Sequence, residues 1–286
     1  MRPRRRRLRI VALAVAPWAL LAAAPLGLIA LLRGRRFATL AAAAVTGAGA
    51  VVARDVAGRR QLATRSADLR VAHLNLLFTN ERIAEVAAVL AHVDADVIAF
   101  SEYHPDHARE LRASALVEHY PHRIERPTAE AGGAGLWSRR PLAEIPAPSI
   151  AHQTCAADVA IVGERSIRVT TLHTKSPIRD TEQWARDLAV LAEPAWRPLG
   201  PSVMVGDYNA VWLHPELRDV LASGWRLAHR VAGQGLRGSW RADRPFVPFV
   251  RIDHALVSDA IDVVEVEDFA IPGSDHRGFV VSVAVR

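Results

Sequence analysis

Residues 203–210 read Val-Met-Val-Gly-Asp-Tyr-Asn-Ala, so three apolar residues and a glycine are followed at once by polar side chains. The apolar residues predict a short buried strand, and the glycine marks the place where it ends. An ordinary tight turn would account for this sequence, but two polar side chains directly after a buried strand are also expected of a functional site. The stretch therefore predicts a strand that carries Asp207 and Asn209 at its end.

The same arrangement recurs along the chain. Polar residues stand at the end or the start of six strand-like segments: Asn75, Glu102, His173, Asp207 with Asn209, Asp253, and Asp275 with His276. In layered α/β proteins such strand ends lie at one edge, so residues distant in sequence converge there. Each also has a structural explanation: a turn for Asn75, a cap for Glu102, the core for His173, and a surface pair with Arg251 for Asp253.

The segments between these residues predict a mixed α/β fold. Alternating and short apolar runs predict strands at residues 69–75, 97–100, 167–172, 203–205, 252–257 and 279–285. Helical periodicity covers residues 83–93 and 181–191. Strands interleaved with few helices indicate stacked sheets. With 286 residues the chain forms one large domain or two small ones.

The residue types favour phosphoester hydrolysis. Carboxylate oxygens without cysteine ligands suit a hard divalent cation, Mg²⁺ or Mn²⁺, better than Zn²⁺, and Cys155 is the only cysteine. Such an ion, with an Asn and two His, would neutralise a phosphate, and a further carboxylate can activate water. The chain has neither a G-x-S-x-G motif nor a P-loop lysine motif, which disfavours acyl transfer and P-loop chemistry.

The N-terminus has the pattern of a membrane anchor. Six arginines within residues 2–9 precede an uncharged run of 23 residues at 10–32, about long enough to cross a hydrocarbon core of roughly 30 Å. A second uncharged run, rich in Ala and Gly, follows at 37–53. We expect a retained anchor over residues 1–54, with a transmembrane helix at 10–32 and a second span at 37–53, in preference to a cleaved signal peptide. A linker at 55–68 then leads to a catalytic domain at 69–286.

The anchor also carries the net positive charge. The first 54 residues hold ten arginines and no acidic residue, which leaves 26 basic and 30 acidic residues in the other 232. The catalytic domain therefore has a balance of −4 although the whole chain has +6, which weakens the case for nonspecific nucleic-acid binding. If both runs span the cell membrane, the positive-inside rule places the domain in the cytoplasm; if only the first spans, the domain is outside.

Eight blocks of the chain occur in an order that resembles one known family. They are Val71–Asn75, Asp96–Glu102, Gly135–Leu142, Leu172-His173, Gly206–Ala210, Ser239-Trp240, Arg251–His254 and Ser274–His276. The chain from residue 69 onward thus resembles the endonuclease/exonuclease/phosphatase superfamily of DNase I-like metal phosphohydrolases, in particular its membrane-anchored bacterial members. The resemblance implies a four-layered α/β sandwich with two central sheets and one active site at their edge.

The resemblance also implies a metal site. Glu102 would be the principal metal ligand, and Asn75 and Asp275 would complete the site, partly through water. Two residues depart from the family pattern, Ser101 where many relatives have Gln and Tyr208 where Phe is common. Neither change removes a ligand.

The remaining residues would carry the reaction. By the same resemblance, Asp207 would position or deprotonate the attacking water, and Asn209 would bind the phosphate. His173 would contact a phosphate oxygen. His276, oriented by Asp253, would stabilise the charged transition state.

These observations predict a membrane-anchored, metal-dependent phosphoester hydrolase. A tether raises the effective concentration of membrane-borne substrates, so we expect a phosphodiesterase or pyrophosphatase acting on a lipid-linked phosphate or phospholipid head group. The alternative is an endo- or exonuclease acting on DNA or RNA, which needs a basic groove; the candidates for that groove are Arg139, Arg140, Arg237, Arg241 and Arg244. A third hypothesis, an inactive membrane adaptor, is disfavoured because no expected catalytic residue is missing.

Overall fold

The computed structural model describes residues 3–32, 39, 42–43, 45–50, 61–246 and 248–286. The strands are β1 (Leu69–Asn75), β2 (Val97–Ser101), β3 (His122–Arg126), β4 (Ala134–Ser138), β5 (Leu142–Glu144), β6 (Cys155–Ile161), β7 (Arg165–His173), β8 (Ser202–Asp207), β9 (Trp225–Leu227), β10 (Asp253–Ser258), β11 (Ile261–Ala270) and β12 (Arg277–Val285). The helices are α1 (Pro3–Leu32), α2 (Ile83–His92), α3 (Pro105–Ala113), α4 (Leu116–His119), α5 (Thr181–Leu191), α6 (Pro215–Ala222) and α7 (Ala228–Val231). All six predicted strands and both predicted helices are confirmed to within about two residues at their ends.

The strands form two six-stranded sheets. The first has the order β11-β12-β1-β2-β4-β3, and the second has the order β5-β6-β7-β8-β10-β9. β1 and β2 are parallel, and so are β7 and β8, whereas β12 and β10 run antiparallel beside them. The carboxyl ends of β1 and β2 therefore share an edge with the amino end of β12. The carboxyl ends of β7 and β8 likewise share an edge with the amino end of β10.

The two sheets face each other across an aliphatic core. Successive side chains of a strand point to opposite faces, so alternate residues enter this core, among them Val71, Val97, Val169, Val203, Val257 and Val281. The intervening residues pack outward. Those of the first sheet contact α2, α3 and α4, and those of the second contact α5 and α6. The result is the α/β sandwich of helices, sheet, sheet and helices that the sequence predicts.

The N-terminal helix lies against the catalytic domain in this structure. α1 contains Pro17 and Pro25, and its Ile10 is buried among the side chains of α5 and α6. The ring Nε2 of His214 is 3.0 Å from the carbonyl oxygen of Ile10, and the Trp18 indole donates to the Phe249 carbonyl at 2.7 Å. In the part of the chain that the structure describes, no helix combines the length and the apolarity that a membrane crossing needs. The transmembrane helix expected at residues 10–32 is therefore not confirmed.

Parts of the second expected span and of the linker lie outside the described residues. Of residues 37–53, the structure describes 39, 42–43 and 45–50, which are helical. Residues 61–68 of the expected linker lie along the sandwich, where the backbone N–H of Gln61 donates to Val231 and that of Ala63 donates to Val263, both at 2.9 Å. This described part of the linker is thus bonded to the domain.

Candidate active site

The predicted site residues continue the alternation that builds the core between the sheets. In β8, Val205 faces this core, so Asp207 two residues later faces the same way. In β10, which runs in the opposite direction, Ala255 faces the core and Asp253 stands two residues earlier. The strand register places Asp207 opposite both Asp253 and His173. Polar residues thus replace aliphatic ones where the sandwich reaches its edge.

Asn75 connects the two sheets at this edge. It ends β1 in the first sheet, and its amide Nδ2 donates to Oδ2 of Asp207 in the second sheet at 3.1 Å. The same nitrogen donates to Oε1 of Glu102 at 3.1 Å. Its Oδ1 accepts the backbone N–H of Leu77 at 3.0 Å, which fixes the amide orientation. The fully buried Asn75 side chain therefore holds carboxylates from both sheets in place.

Glu102 has a backbone conformation that is uncommon for a residue with a side chain. Its φ is +53°, and Leu77 and Asn209, which also border the site, have φ of +60° and +47°. Such left-handed conformations cluster at functional sites, where the surrounding structure imposes them. The Glu102 carboxylate accepts the backbone N–H of Phe78 at 3.0 Å in addition to the Asn75 amide. The turn after β2 therefore directs this carboxylate into the site.

Asp253 and His276 form a buried pair. Nδ1 of His276 donates to Oδ2 of Asp253 at 2.8 Å. Burial alone would lower the pKa of His276, but the Asp253 carboxylate raises this pKa to about 10, with Asp207 and Asp275 adding to the effect. The same contact holds the pKa of Asp253 below its usual range although burial opposes it. The ring is therefore an imidazolium at neutral pH, and Asp253 is its counter-ion.

Asp253 does not form the surface pair with Arg251 that would have explained it structurally. The Arg251 guanidinium is buried and bonds Oδ2 of Asp268 at 2.7 Å, and it reaches Asp253 only at the backbone carbonyl, at 3.4 Å. The backbone N–H of Asp253 donates to the Ser239 hydroxyl at 3.2 Å. Arg251 therefore bonds Asp268 and the backbone at the start of β10, while the Asp253 carboxylate bonds His276 in the site.

Asp207 lies at the centre of the arrangement. Its Oδ1 accepts the backbone N–H of Asn209 at 2.8 Å. Its Oδ2 lies 3.5 Å from Nε2 of His173 and 3.8 Å from Nε2 of His276. Burial raises the pKa of Asp207 well above its usual value, and the nearby Asp253 carboxylate raises it further. A carboxylate with a raised pKa is the kind of group that can take a proton from water.

His173 and Asn209 are bonded to each other. Nδ1 of His173 is 3.0 Å from the carbonyl oxygen of Ala131, which can only accept, so Nδ1 carries the hydrogen. Burial lowers the pKa of His173 to about 4, so the ring is neutral and its Nε2 accepts from Asn209 Nδ2 at 3.2 Å. The other amide hydrogen of Asn209 goes to the Thr174 carbonyl at 3.1 Å. The phosphate contacts expected of His173 and Asn209 stay predictions, because in this arrangement each holds the other.

The loop before β12 is tied to both sheets. The Ser274 hydroxyl donates to the Asn75 carbonyl at 2.8 Å. The Trp240 indole donates to Oδ2 of Asp275 at 2.9 Å. These bonds place Asp275 beside His276, whose Nε2 is 3.8 Å from Oδ1 of Asp275. Trp240 lies in one of the recognised sequence blocks, but its orienting contact with Asp275 was not predicted.

A cavity of about 260 Å³ opens over these groups. Six of the eight predicted residues line it: Glu102, His173, Asp207, Asn209, Asp275 and His276. Asn75 and Asp253 are completely buried behind it. Its wall also includes residues without a predicted role, notably His152, Lys175, Arg179 and Trp240. One sequence signal could have revealed Lys175, since the only lysine of the chain stands two residues after His173.

Two groups of side chains could hold a metal ion. Asp207, Asp253 and His276 have ligand atoms within 4.8 Å of one another. His276 and Asp253 are bonded to each other, however, so an ion bound to this group would have to displace the proton that the buried pair shares. Glu102 and Asp275 are half-buried at the cavity wall, and within the described residues Oδ1 of Asp275 accepts no hydrogen bond and lies 3.8 Å from Nε2 of His276. Their hard oxygen atoms fit Mg²⁺ or Mn²⁺ better than the first group does.

Comparison with known proteins agrees with this geometry. The model of the Endonuclease/Exonuclease/phosphatase family matches residues 72–276. No curated protein shows significant sequence similarity to the chain. Among solved structures, zebrafish (D. rerio) TDP2 in complex with a single-stranded DNA product is 18% identical with a TM-score of 0.62, covering 76% of this chain and 99% of that one.

Two bacterial structures are similar to the same extent. The Neisseria 3′ phosphatase NExo, bound to a product DNA hairpin, is 18% identical with a TM-score of 0.60. The mannosyl-6-phosphatase of Bacteroides thetaiotaomicron is 15% identical with a TM-score of 0.59. Each match covers 76% of this chain and 99% of the other. At such identities these likenesses establish the fold alone. Because the family model spans most of the chain, however, this protein belongs to the endonuclease/exonuclease/phosphatase family.

Proposed function

We propose that this protein is a divalent-metal-dependent phosphoester hydrolase. The observation that carries the proposal is the position of Asp207, a carboxylate with a raised pKa that lies 3.8 Å from the charged ring of His276 at the cavity. A proton acceptor beside a fixed cation suits the attack of water on a phosphate. The inactive adaptor is disfavoured because such a buried set of charges is costly to keep without a function.

In the proposed reaction, Asp207 orients a water molecule toward the phosphorus and accepts its proton. The water oxygen bonds to phosphorus as the bond from phosphorus to the leaving oxygen breaks, and the leaving group takes up a proton from solvent. His276, held by Asp253, donates from Nε2 to a phosphoryl oxygen as negative charge develops there. Asn75 keeps the carboxylates of the two sheets apart, and Glu102 with Asp275 would hold Mg²⁺ or Mn²⁺. When bound, this ion supplies charge neutralisation and polarises the phosphate.

The proposal is tested with bis-p-nitrophenyl phosphate, a generic phosphodiester whose hydrolysis does not depend on recognition of a particular leaving group. We expect hydrolysis that requires Mg²⁺ or Mn²⁺ and that falls at least 100-fold in Asp207→Ala and in His276→Ala. Asp219→Asn and His92→Ala change exposed residues of the same types and serve as matched controls that should retain full activity. An unchanged rate in Asp207→Ala would refute the proposed role of that residue.

For the substrate, we propose a lipid-linked phosphate or phospholipid head group, with nucleic acid as the alternative. Three of the five arginines considered for the basic groove of a nuclease are paired with aspartates. Arg139 and Arg140 follow β4 at the sheet edge opposite the site, where each pairs with an aspartate at 3.0 Å. Arg241 lines the cavity, but Asp243 bonds its guanidinium at 2.6 and 2.9 Å. These pairs reduce the charge available to a phosphate backbone.

A substrate panel separates the two alternatives. The purified full chain, in detergent, is offered polyprenyl diphosphates, phospholipids, plasmid DNA and single-stranded oligonucleotides under the same metal conditions. We expect turnover of at least one lipid phosphate and little turnover of nucleic acid. Hydrolysis of DNA without any activity on lipid phosphates would establish the nuclease alternative instead.

We also propose that the protein resides at the cell membrane. The support is the sequence of the N-terminus, with its uncharged run at 10–32 between arginine clusters. Fractionation of expressing cells, followed by extraction of membranes at alkaline pH, is the test. We expect the chain to remain in the membrane pellet. Quantitative release would instead indicate that the main role of α1 is to pack against the domain.

A further inference from the structure

The cavity wall beside His173 carries the only lysine of the chain. Lys175 is half-buried, and in the described part of the molecule its ammonium has no carboxylate partner. The contact of this ammonium is with a ring nitrogen, since Nζ lies 3.5 Å from Nε2 of His152. A half-buried cation that faces a cavity and has no carboxylate within ion-pair distance among the described residues is available to an anionic ligand.

The contact with His152 explains which way the Lys175 side chain points. Burial lowers the pKa of His152 to about 3, and the neighbouring His173 and Lys175 lower it as well, so the ring is neutral and can accept a hydrogen from the ammonium. Its ring centroid is 4.5 Å from that of His173. Lys175 therefore contacts His152, which lies beside His173, whereas His173 itself lies 3.5 Å from the Asp207 carboxylate. The ammonium is placed for a neighbouring group of the substrate and not for the reacting phosphate.

A buried carboxylate holds the loops that carry these two residues. Asp187 of α5 is completely buried, and its Oδ2 accepts the backbone N–H of Lys175 at 2.8 Å. Its Oδ1 accepts the backbone N–H of Ala151, next to His152, at 3.1 Å, and the side-chain amide of Gln183 at 2.8 Å. The positions of Lys175 and His152 relative to each other are thus fixed by one side chain. The contact between Lys175 and His152 is therefore held in place by hydrogen bonds to a buried carboxylate.

A second cation lies on the same loop. Arg179 lines the cavity and is exposed, and within the described residues no carboxylate pairs with it. Arg241, on the opposite wall, is bonded to Asp243 in a bidentate pair. The unpaired positive charge of the cavity wall is therefore concentrated on the segment between β7 and α5.

We propose that Lys175, with Arg179 beside it, forms a subsite for a second phosphate group next to the phosphate that is hydrolysed. This inference rests on the proposed function and narrows its substrate class to compounds with two neighbouring phosphates. A diphosphate linkage has this chemistry, and so do adjacent phosphates of a nucleic-acid strand. Lys175 is then a specificity residue, and Asp187 is a positioning residue.

The first experiment uses the fact that the chain has one lysine. Reductive methylation of the full chain with ¹³C-formaldehyde gives a single dimethyl-lysine resonance, distinct from that of the α-amino group, and preserves the charge. With Mg²⁺ in excess, we expect inorganic pyrophosphate to shift this resonance at a concentration at least tenfold lower than orthophosphate does. Equal responses to the two anions, or no shift at saturating pyrophosphate, would overturn the subsite whether or not the protein is a hydrolase.

The second experiment compares substrates with and without the second phosphate. The single-phosphate substrate is p-nitrophenyl thymidine 5′-phosphate, the diphosphate substrate is a nucleotide sugar, and the nucleic-acid arm is a dinucleotide with an additional terminal phosphate. We expect Lys175→Met to reduce kcat/KM at least tenfold on a two-phosphate substrate and less than twofold on the single-phosphate one. Lys175→Arg should restore most of the loss, and Arg218→Met, an exposed change on α6, should have no effect.

Each of the three substrates distinguishes a different outcome. If Lys175→Met slows hydrolysis of the nucleotide sugar, the second phosphate belongs to a diphosphate linkage. If it slows hydrolysis of the dinucleotide, the second phosphate belongs to a nucleic acid. A uniform loss on all three substrates would show a structural role and overturn the subsite. If the unmodified protein hydrolyses none of them, the proposed function fails, and the resonance titration alone decides whether two neighbouring phosphates bind.

Discussion

Nδ1 of His276 lies 2.8 Å from Oδ2 of Asp253, although Asp253 opens β10 in one sheet and His276 immediately precedes β12 in the other. Because Asp253 is buried and has the lowered pKa of a stable anion, it keeps the His276 ring charged over the whole physiological range. The charge of the ring is therefore a property of the sandwich and not of the histidine alone.

Replacing Asp253 with Asn should move the alkaline limit of the reaction. The pKa of His276 is raised to about 10, so the charged ring and the activity should persist below that pH and be lost as the pH rises through it. In Asp253→Asn the main cause of the raised pKa is gone, so the loss should occur at a lower pH. We expect kcat/KM to fall about 100- to 1,000-fold at pH 8. The pH–rate profile is the measurement, and an unchanged alkaline limb in the variant would contradict the pairing.

The metal requirement should depend on Glu102 and Asp275. Glu102→Gln and Asp275→Asn each remove one charge from the oxygen donors at the cavity wall. We expect the Mg²⁺ concentration for half-maximal activity to rise at least tenfold, and the increase in Tm on Mg²⁺ addition to shrink. Glu110→Gln, an exposed change on α3, is the matched control. If the ion instead binds Asp207, Asp253 and His276, Glu102→Gln will leave the metal requirement unaltered.

Gly206 is required by the close approach of two strands. A Cβ at this position would lie 2.2 Å from the carbonyl oxygen of Leu172 in the neighbouring strand β7. Gly206→Ala should therefore separate β7 from β8 and lower the free energy of unfolding by about 1–3 kcal/mol. It should also reduce activity, because the next register pair is His173 with Asp207.

The matched control for this change is Gly200→Ala. A Cβ there meets nothing within 4 Å, so stability should change by about 0.5 kcal/mol or less. Urea unfolding of both variants measures the difference. Equal stability of the two alanine variants would show that the strands can yield without cost.

Buried neutral histidines should make the fold sensitive to acid. The pKa values of His73 and His173 are lowered to about 4, and that of His254 to about 3, in each case chiefly by burial. Their unfolded pKa is about 6.5, so between roughly pH 6.5 and 4 the unfolded chain binds more protons than the folded one. Stability from these groups is therefore complete above pH 6.5 and is lost as the pH falls, by about 1.4 kcal/mol per pH unit for each histidine.

One histidine can be tested by itself. His254 is bonded through Nε2 to the Ala210 carbonyl at 2.8 Å, and a Gln side chain can also donate to that oxygen. His254→Gln should reduce the pH dependence of the unfolding free energy between pH 6 and 4.5 by about one proton. His92→Gln, on the exposed face of α2, should not. A wild-type stability that is constant from pH 7 to 5 would contradict the prediction.

Much of the fold could be predicted because the strands of the inner sheets are short and strongly apolar. β1, β2, β8 and β12 are buried on both faces, so their sequences stand out from the polar loops around them. The other six strands were not predicted: β3, β4, β5, β6, β9 and β11. Four of them, β3, β5, β9 and β11, lie at sheet edges, and β3, β5 and β11 carry exposed, charged residues. Their assignment depends on pairing with a neighbour, which the local sequence does not encode.

The N-terminus shows the opposite case. Its uncharged run of 23 residues predicted a transmembrane helix because it is about long enough to cross a hydrocarbon core and is flanked by arginines. In the structure α1 has partners, including His214 and Phe249, which lie about 200 residues or more further along the chain. Local hydrophobicity measures the tendency to leave water, but it does not specify whether lipid or protein takes the place of water.

The sequence by itself pointed to the candidate side chains, because Asn75, Asp207 and Asp253 stand at the ends of apolar strands and lie in blocks that resemble one family. Tertiary structure decided how those side chains combine. It placed carboxylates of two sheets around one amide, fixed the charge of His276 through a buried anion, and put Arg139 and Arg140 at the far edge. Charge state and proximity depend on burial and on contacts between distant segments, and these arise only when the two sheets pack face to face.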